Sequence, residues 1–217
     1  MNAKKKFDHS NDLVFLPLGG TGEIGMNCYC YGTGPADDRK WLMVDLGVKF
    51  GDDMDPGIDV VLPDVSFIAS DKRNLAGIVL THAHEDHLGA VAWLWPQLQC
   101  PVYCTPFAAQ ILALKLKEAG LDEDVPVKVQ PLGSRFEVGP FKLEFVSVTH
   151  SIPEPSALLI KTKQGTVLHS GDWKIDRSPV MGQGMDEKRL RQIGEEDVDV
   201  LVCDSTNVLR EGHSPSE

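Results

Sequence analysis

The histidine-rich segment of residues 81–89, which reads THAHEDHLG, limits the possible fold and function of this chain more than any other feature. It follows the apolar run of residues 76–80, which is typical of a buried strand, so the histidines lie on the loop that leaves a strand. Zinc and similar divalent metals favour imidazole with carboxylate, and a catalytic centre uses three protein ligands and one open position. Four candidate ligands in one turn exceed the needs of one such centre. The segment therefore predicts two adjacent metal ions.

Two more candidate ligands follow other predicted strands. His150 ends the strand-like residues 141–149, and Asp172 ends residues 166–171. A carboxylate can bridge two ions through its two oxygens, so Asp172 is the natural link between the centres. The alternative to a metal site is a surface-exposed histidine loop or an adventitious nickel site, and this second set of candidates argues against it.

The remaining polar candidates have simpler interpretations. Asp45 lies near the end of the strand-like residues 41–47, where a carboxylate can orient a metal-bound histidine or water, although capping of turn amides explains it equally well. We interpret His169 as structural. His9 and His213 lie near the termini and are expected to be solvated.

The glycines at positions 20, 22 and 25 form a literal G-x-G-x-x-G, a pattern found in dinucleotide-binding folds. That fold needs a helix to open at the last glycines, whereas residues 26–32 continue as strand-type sequence. We therefore predict a glycine-rich turn between two strands, from which Glu23 and Asn27 reach toward the active site.

The rest of the chain predicts mixed sheets covered by helices. Residues 49–63 suggest a loop, residues 88–98 a helix that Pro96 bends or ends early, and residues 107–119 a helix capped by Thr105 with Pro106 at its first position. The expected strands in the second half are residues 125–132, 135–138 and 141–148, the last two joined as a hairpin.

Composition narrows the class of protein. A length of 217 residues with 42% hydrophobic content suits one large domain, and no apolar run approaches the roughly 18 residues of a membrane span. The five cysteines are not spaced like a disulfide framework, so we expect a soluble cytoplasmic protein in a reducing compartment. The net charge of −11 argues against a free-standing nucleic-acid binder.

Taken together, these motifs resemble a known family. Residues 44–47 (VDLG), 81–87, His150 and 170–172 (SGD) are similar to the successive motifs of the metallo-β-lactamase superfamily, whose hallmark is HxHxDH. Within it, residues 18–27, 63–64, 171–176 and 204–207 resemble the ribonuclease J family of the bacterial β-CASP branch. The resemblance implies a mixed α/β, four-layer αββα sandwich and zinc-dependent RNA cleavage, by exonuclease or endonuclease action.

The resemblance also implies roles for individual residues. One of two zinc ions would be held by His82, His84 and His150. The other would be held by Asp86 and His87, with Asp172 as the bridge. A metal-activated hydroxide would attack phosphorus, and Asp86 would orient it or take its proton. Implied partners are RNA, favoured with a 5′-monophosphate, further copies of the chain, and other RNA-decay proteins, with no membrane.

In that family a β-CASP domain interrupts the metallo-β-lactamase domain. We therefore expect residues 1–217 to be the N-terminal part of that domain, ending about where the β-CASP domain would begin, with one histidine of the second centre lying elsewhere. The isolated 217 residues would then be weakly active or inactive. The alternatives are a hydrolase of small esters or thioesters, and a non-catalytic docking surface.

Overall fold

The computed structural model of the protein describes residues 12–212, and two β-sheets form its centre. In chain order the strands are β1 Val14–Gly19, β2 Cys28–Thr33, β3 Lys40–Val44, β4 Lys49–Phe50, β5 Val60–Val61, β6 Leu75–Val79, β7 Val102–Cys104, β8 Val127–Val129, β9 Arg135–Val138, β10 Phe141–Ser147, β11 Ser156–Lys161, β12 Thr166–His169 and β13 Val200–Val202. The α-helices are α1 Ser66–Ser70, α2 Glu85–Leu88, α3 Val91–Leu98, α4 Pro106–Ala119 and α5 Glu187–Glu195, and Lys72–Asn74 forms a 3₁₀ turn.

The larger sheet has the strand order β1-β2-β3-β6-β7-β8. Its first three strands are antiparallel neighbours, and β3, β6, β7 and β8 run parallel to one another. The smaller sheet has the order β13-β12-β11-β10-β9, antiparallel except for the β12–β13 pair. Strands β4 and β5 form a separate small hairpin.

Side-chain alternation along the strands builds four layers. Leu42 and Val44 of β3 pack against residues of the smaller sheet such as Phe145, whereas Met43 between them packs with the helices α1, α3 and α4. Such alternation is expected because neighbouring side chains of a strand point to opposite faces. On the far face of the smaller sheet, Leu159 packs with Ile193 of α5. The order helices, sheet, sheet, helix confirms the predicted αββα sandwich.

Three predicted element boundaries need correction. Residues 49–63 are not simply a loop, because Lys49 and Phe50 pair with Val60 and Val61. The helix expected at residues 88–98 begins only at Val91, because Leu88 ends the preceding helix α2, and α3 continues through Pro96 to Leu98. The strand expected at residues 125–132 is limited to β8.

Helix α4 begins at Pro106 as predicted, but Thr105 does not cap it with its side chain. The Glu154 carboxylate, from a loop distant in sequence, instead accepts a hydrogen bond from the Phe107 amide at 2.7 Å. The buried Thr105 hydroxyl has no hydrogen-bond partner among the described residues. Glu154 follows β10, so this cap ties the helix layer to the second sheet.

None of the helices within residues 12–212 is long and apolar enough to cross a membrane. The five cysteines are all free thiols.

Candidate metal centre

The candidate ligands lie where strands from both sheets end at a common rim. Strand β6 delivers His82 and His84, whereas β10 and β12 of the other sheet lead to His150 and Asp172. The His84 carbonyl accepts hydrogen bonds from the amides of His87 and Leu88, both at 3.0 Å, and so starts α2. This turn brings His87 back toward the first two histidines.

Three imidazole nitrogens converge in the first donor group, formed by His82, His84 and His150. His84 Nδ1 lies 3.1 Å from His82 Nε2 and also 3.1 Å from His150 Nε2. His84 Nδ1 has either one proton or one lone pair, which cannot serve both neighbours well, so a shared cation accounts better for the convergence. Tetrahedral zinc, at about 2.0–2.1 Å from each nitrogen, separates its ligand nitrogens by roughly 3.3 Å. The donor set therefore fits a zinc ion.

The second donor group contains His87, Asp172 and again His82. His87 Nε2 lies 3.3 Å from Asp172 Oδ1. The other oxygen, Asp172 Oδ2, lies 3.6 Å from His150 Nε2 in the first group. One carboxylate thus faces both groups, each with a different oxygen.

Asp86 lies beside this second group. Its Oδ2 is 3.5 Å from His87 Nε2 and 3.3 Å from Asn27 Nδ2. The family resemblance implies that Asp86, His87 and Asp172 form the second metal site. In the structure, the donor atoms that lie close to one another there belong to His82, His87 and Asp172. The structure therefore brings all six predicted ligands to one rim, with Asp86 more loosely placed than the others.

Asp45 is fully buried and orients His87 of the second donor group. It accepts hydrogen bonds from the Thr81 amide at 2.8 Å and the Thr81 hydroxyl at 2.9 Å, and its Oδ2 lies 2.7 Å from His87 Nδ1. Because Asp45 holds a proton on Nδ1, Nε2 of His87 would be the nitrogen that gives up its proton to bind a metal ion. Such carboxylate partners fix the tautomer of ligating histidines. Asp45 adopts a left-handed backbone, with φ of 61°.

Burial and neighbouring charges set the protonation of this rim. Burial, together with the other imidazoles, keeps the pKa of His82 well below its ordinary value, so its ring is neutral. Burial also opposes a charge on His87, but Asp45 and Asp172 outweigh it and raise the pKa of His87 to about 10. His87 likewise outweighs the effect of burial on Asp172 and lowers its pKa. Cation binding at His87 should therefore release a proton.

A cavity of about 380 Å³ opens beside the second group. It is lined by the glycine-rich turn, the end of β12 and residues 204–206. Asn27 reaches the rim as predicted. Glu23 also lines the cavity, and its carboxylate accepts a hydrogen bond from the Gly20 amide at 3.1 Å within its own turn.

The other histidines take no part in the two donor groups. His169 is buried, and its Nδ1 lies 2.9 Å from the hydroxyl of Tyr31. Burial lowers the pKa of His169 to about 4. His9 and His213 lie outside the described residues.

Sequence reasoning missed two contributors to the rim, Thr81 and Tyr29. Thr81 immediately precedes the first histidine, and its hydroxyl lies between Asp45 and His82. Tyr29 donates a hydrogen bond to Asn27. Two-residue spacing places Tyr29 on the same strand face as Asn27, a signal that could have identified it.

Comparison with known proteins agrees with this geometry. Residues 54–215 match the family model described as the beta-lactamase superfamily domain. Ribonuclease J of Sinorhizobium meliloti is 55% identical over 99% of this chain, and Ribonuclease J of Helicobacter pylori is 41% identical over 99% of it. The chain spans only 38% and 31% of the length of these two relatives.

Solved structures support the fold at low sequence identity. The metallo-beta-lactamase fold protein YhfI from Bacillus subtilis has a TM-score of 0.53 and 16% identity, with 76% of this chain and 64% of that one covered. Zinc-bound PqqB from Methylobacterium extorquens has a TM-score of 0.56 and 13% identity, with 86% and 71% covered. With its fold, its histidine loop and the matched family model, the chain belongs to the beta-lactamase superfamily.

Proposed function

We propose that this chain carries the metal centre of a zinc-dependent ribonuclease that hydrolyses phosphodiester bonds of RNA. The observation that carries the proposal is the Asp172 carboxylate, whose Oδ1 lies 3.3 Å from His87 Nε2 and whose Oδ2 lies 3.6 Å from His150 Nε2, so that it faces both donor groups. Paired divalent ions are the usual device for in-line displacement at phosphorus. Homology to proteins named Ribonuclease J supports RNA as the substrate.

The residues of the chain have distinct tasks in this proposal. His82, His84 and His150 would hold one zinc ion, and His87, Asp172 and Asp86 the other. When bound, such ions activate water and neutralise charge on the phosphate. Asp45 and Thr81 keep His87 oriented. The Asp86 carboxylate borders both His87 and the cavity, so its Oδ2 is placed to take a proton from water.

The names of these relatives support RNA as the substrate class. We further propose RNA with a 5′-monophosphate, degraded in the cytoplasm by exonuclease or endonuclease action. The cavity beside His87 and Asp172 is where the reacting nucleotide would lie.

RNA hydrolysis by the zinc-loaded chain tests the proposal. We expect weak cleavage of 5′-monophosphorylated RNA that disappears on chelation and in His87→Ala and Asp86→Ala variants. Labels at the two RNA ends distinguish stepwise removal of nucleotides from internal cuts. Hydrolysis of a small thioester but not of RNA would contradict the proposed substrate. Equal RNA cleavage by wild-type chain and by His82→Ala would show that a contaminant is responsible.

A further inference from the structure

The glycine-rich turn of residues 19–25 leads directly into Asn27, which the structure fastens to the histidine loop. The Asn27 amide donates a hydrogen bond to the Asp86 carbonyl at 2.9 Å. The Asn27 carbonyl accepts one from the Gly47 amide, also at 2.9 Å. Because its main chain is held on both sides, the Asn27 side chain emerges at a fixed point beside the second donor group.

The amide nitrogen of Asn27 faces Asp86 and His87, and its amide oxygen contacts a tyrosine. Its Nδ2 lies 3.3 Å from Asp86 Oδ2 and 3.0 Å from His87 Nε2. Its Oδ1 accepts a hydrogen bond of 2.8 Å from the hydroxyl of Tyr29. The tyrosine hydroxyl donates to Oδ1, so the NH₂ end of the amide belongs on the Asp86 side, where a carboxylate oxygen can accept its hydrogen bond.

Tyr29 is suited to hold the amide in that orientation. Its side chain is buried, and burial, followed by the charge of Asp45, raises the pKa of its phenol, which therefore keeps its proton. The hydroxyl can donate to the Gly20 carbonyl at 3.2 Å or to Asn27 Oδ1 at 2.8 Å, and donation to the nearer Oδ1 opposes rotation of the amide by 180°.

The contact between Tyr29 and Asn27 explains why Gly20, the first glycine of the G-x-G-x-x-G motif, has no side chain. A Cβ at Gly20 would lie 2.3 Å from the Tyr29 hydroxyl oxygen and 2.5 Å from Asn27 Oδ1. Gly20 also has φ of 76°, which side chains rarely adopt. The glycine motif thus makes room for a tyrosine–asparagine contact, and a helix that could bind a dinucleotide does not follow it.

We propose that Asn27 is a positioning residue for the second metal site, its amide oriented by the Tyr29 hydroxyl so that it fixes the Asp86 carboxylate beside His87. This inference rests on the proposed function, because it assigns Asp86 to that site. It adds that a hydrogen bond from Asn27, and not the metal ion alone, fixes the position of the Asp86 carboxylate.

Zinc affinity measured without RNA tests the inference. Each purified chain is stripped of metal and titrated with zinc against a chromophoric chelator, which separates the tighter from the weaker site. Asn27→Ala should weaken the second site by about 10- to 100-fold, the usual cost of losing a hydrogen-bond partner of a ligand. Tyr29→Phe should weaken it less. Tyr31→Phe is the matched control, since it removes a buried hydroxyl from the same strand that bonds to His169 instead.

The double variant separates positioning from general damage. If Tyr29 acts through Asn27, Tyr29→Phe should have no further effect in an Asn27→Ala background. Unchanged zinc affinity in Asn27→Ala, equal losses at both sites, or full additivity of the two changes would overturn the inference. Should Asn27→Ala fail to fold, selective weakening by Tyr29→Phe decides the question. A wild-type chain that binds no zinc would instead overturn the proposed function.

Discussion

Replacement of Asp45 by asparagine should disable the second metal site while leaving the fold intact. Asparagine has the same shape and tolerates the left-handed backbone of this position, where φ is 61°. The Thr81 amide, 2.8 Å from Oδ1, requires an acceptor there. The NH₂ group of the new side chain must then face His87 Nδ1, which now lies 2.7 Å from Oδ2. For Nδ1 of His87 to accept a hydrogen bond from this NH₂ group, the neutral ring has to carry its proton on Nε2, the atom that faces Asp172.

The magnitude follows from the bonds that change. Loss of a charge-assisted hydrogen bond at a buried site costs about 1.5–3 kcal/mol, and we expect urea unfolding of the metal-free variant to show a loss in that range. Zinc affinity of the second site should fall by about 10- to 100-fold, because zinc on Nε2 would leave the Nδ1 proton of His87 facing the NH₂ group of the new asparagine. Affinity of the first site should hardly change. Wild-type affinity at both sites in a folded Asp45→Asn chain would refute this account of His87.

Three further predictions concern other parts of the molecule. His82→Ala combined with His84→Ala should abolish tight zinc binding, because one imidazole remains in the first group, and elemental analysis of the purified chain measures this. The pKa of His169, about 4 in the folded chain against 6.5 ordinarily, means that stability is lost as pH falls through this interval. Between pH 7 and about 4.5 the wild type should lose about 2 kcal/mol more unfolding free energy than His169→Gln, and equal losses in urea titrations would contradict the burial of a neutral ring. Gly47→Ala should prevent normal folding, because its Cβ would lie 1.7 Å from the Asp86 carbonyl oxygen, and a native-like circular dichroism melt would refute that close approach.

The histidine loop could be predicted from sequence because its ligands are neighbours in the chain. His150 and Asp172 could be found as well, since strand ends in a two-sheet fold meet at one rim. The sandwich itself followed from the family resemblance, because alternation and apolar runs indicate only mixed sheets and helices.

The rest depends on contacts between distant segments, which local patterns do not encode. Thr105 has the sequence of a helix cap, yet Glu154 from another layer takes that role for the Phe107 amide. The burial of Asp45 and its contact with His87 across 42 positions of sequence are likewise tertiary. Asn27 could be suspected from its motif, but its tyrosine partner becomes evident only once the first strands pair.

Zinc stoichiometry of the folded chain tests the central claim most directly. We predict that the wild type, reconstituted with zinc and freed of excess metal, holds one tightly bound ion and a second that binds more weakly. In Asp172→Asn the weaker ion should be lost, because this carboxylate faces both donor groups. Well-folded wild-type protein without stoichiometric zinc, or two ions retained unchanged in Asp172→Asn, would contradict a pair of metal sites joined by Asp172.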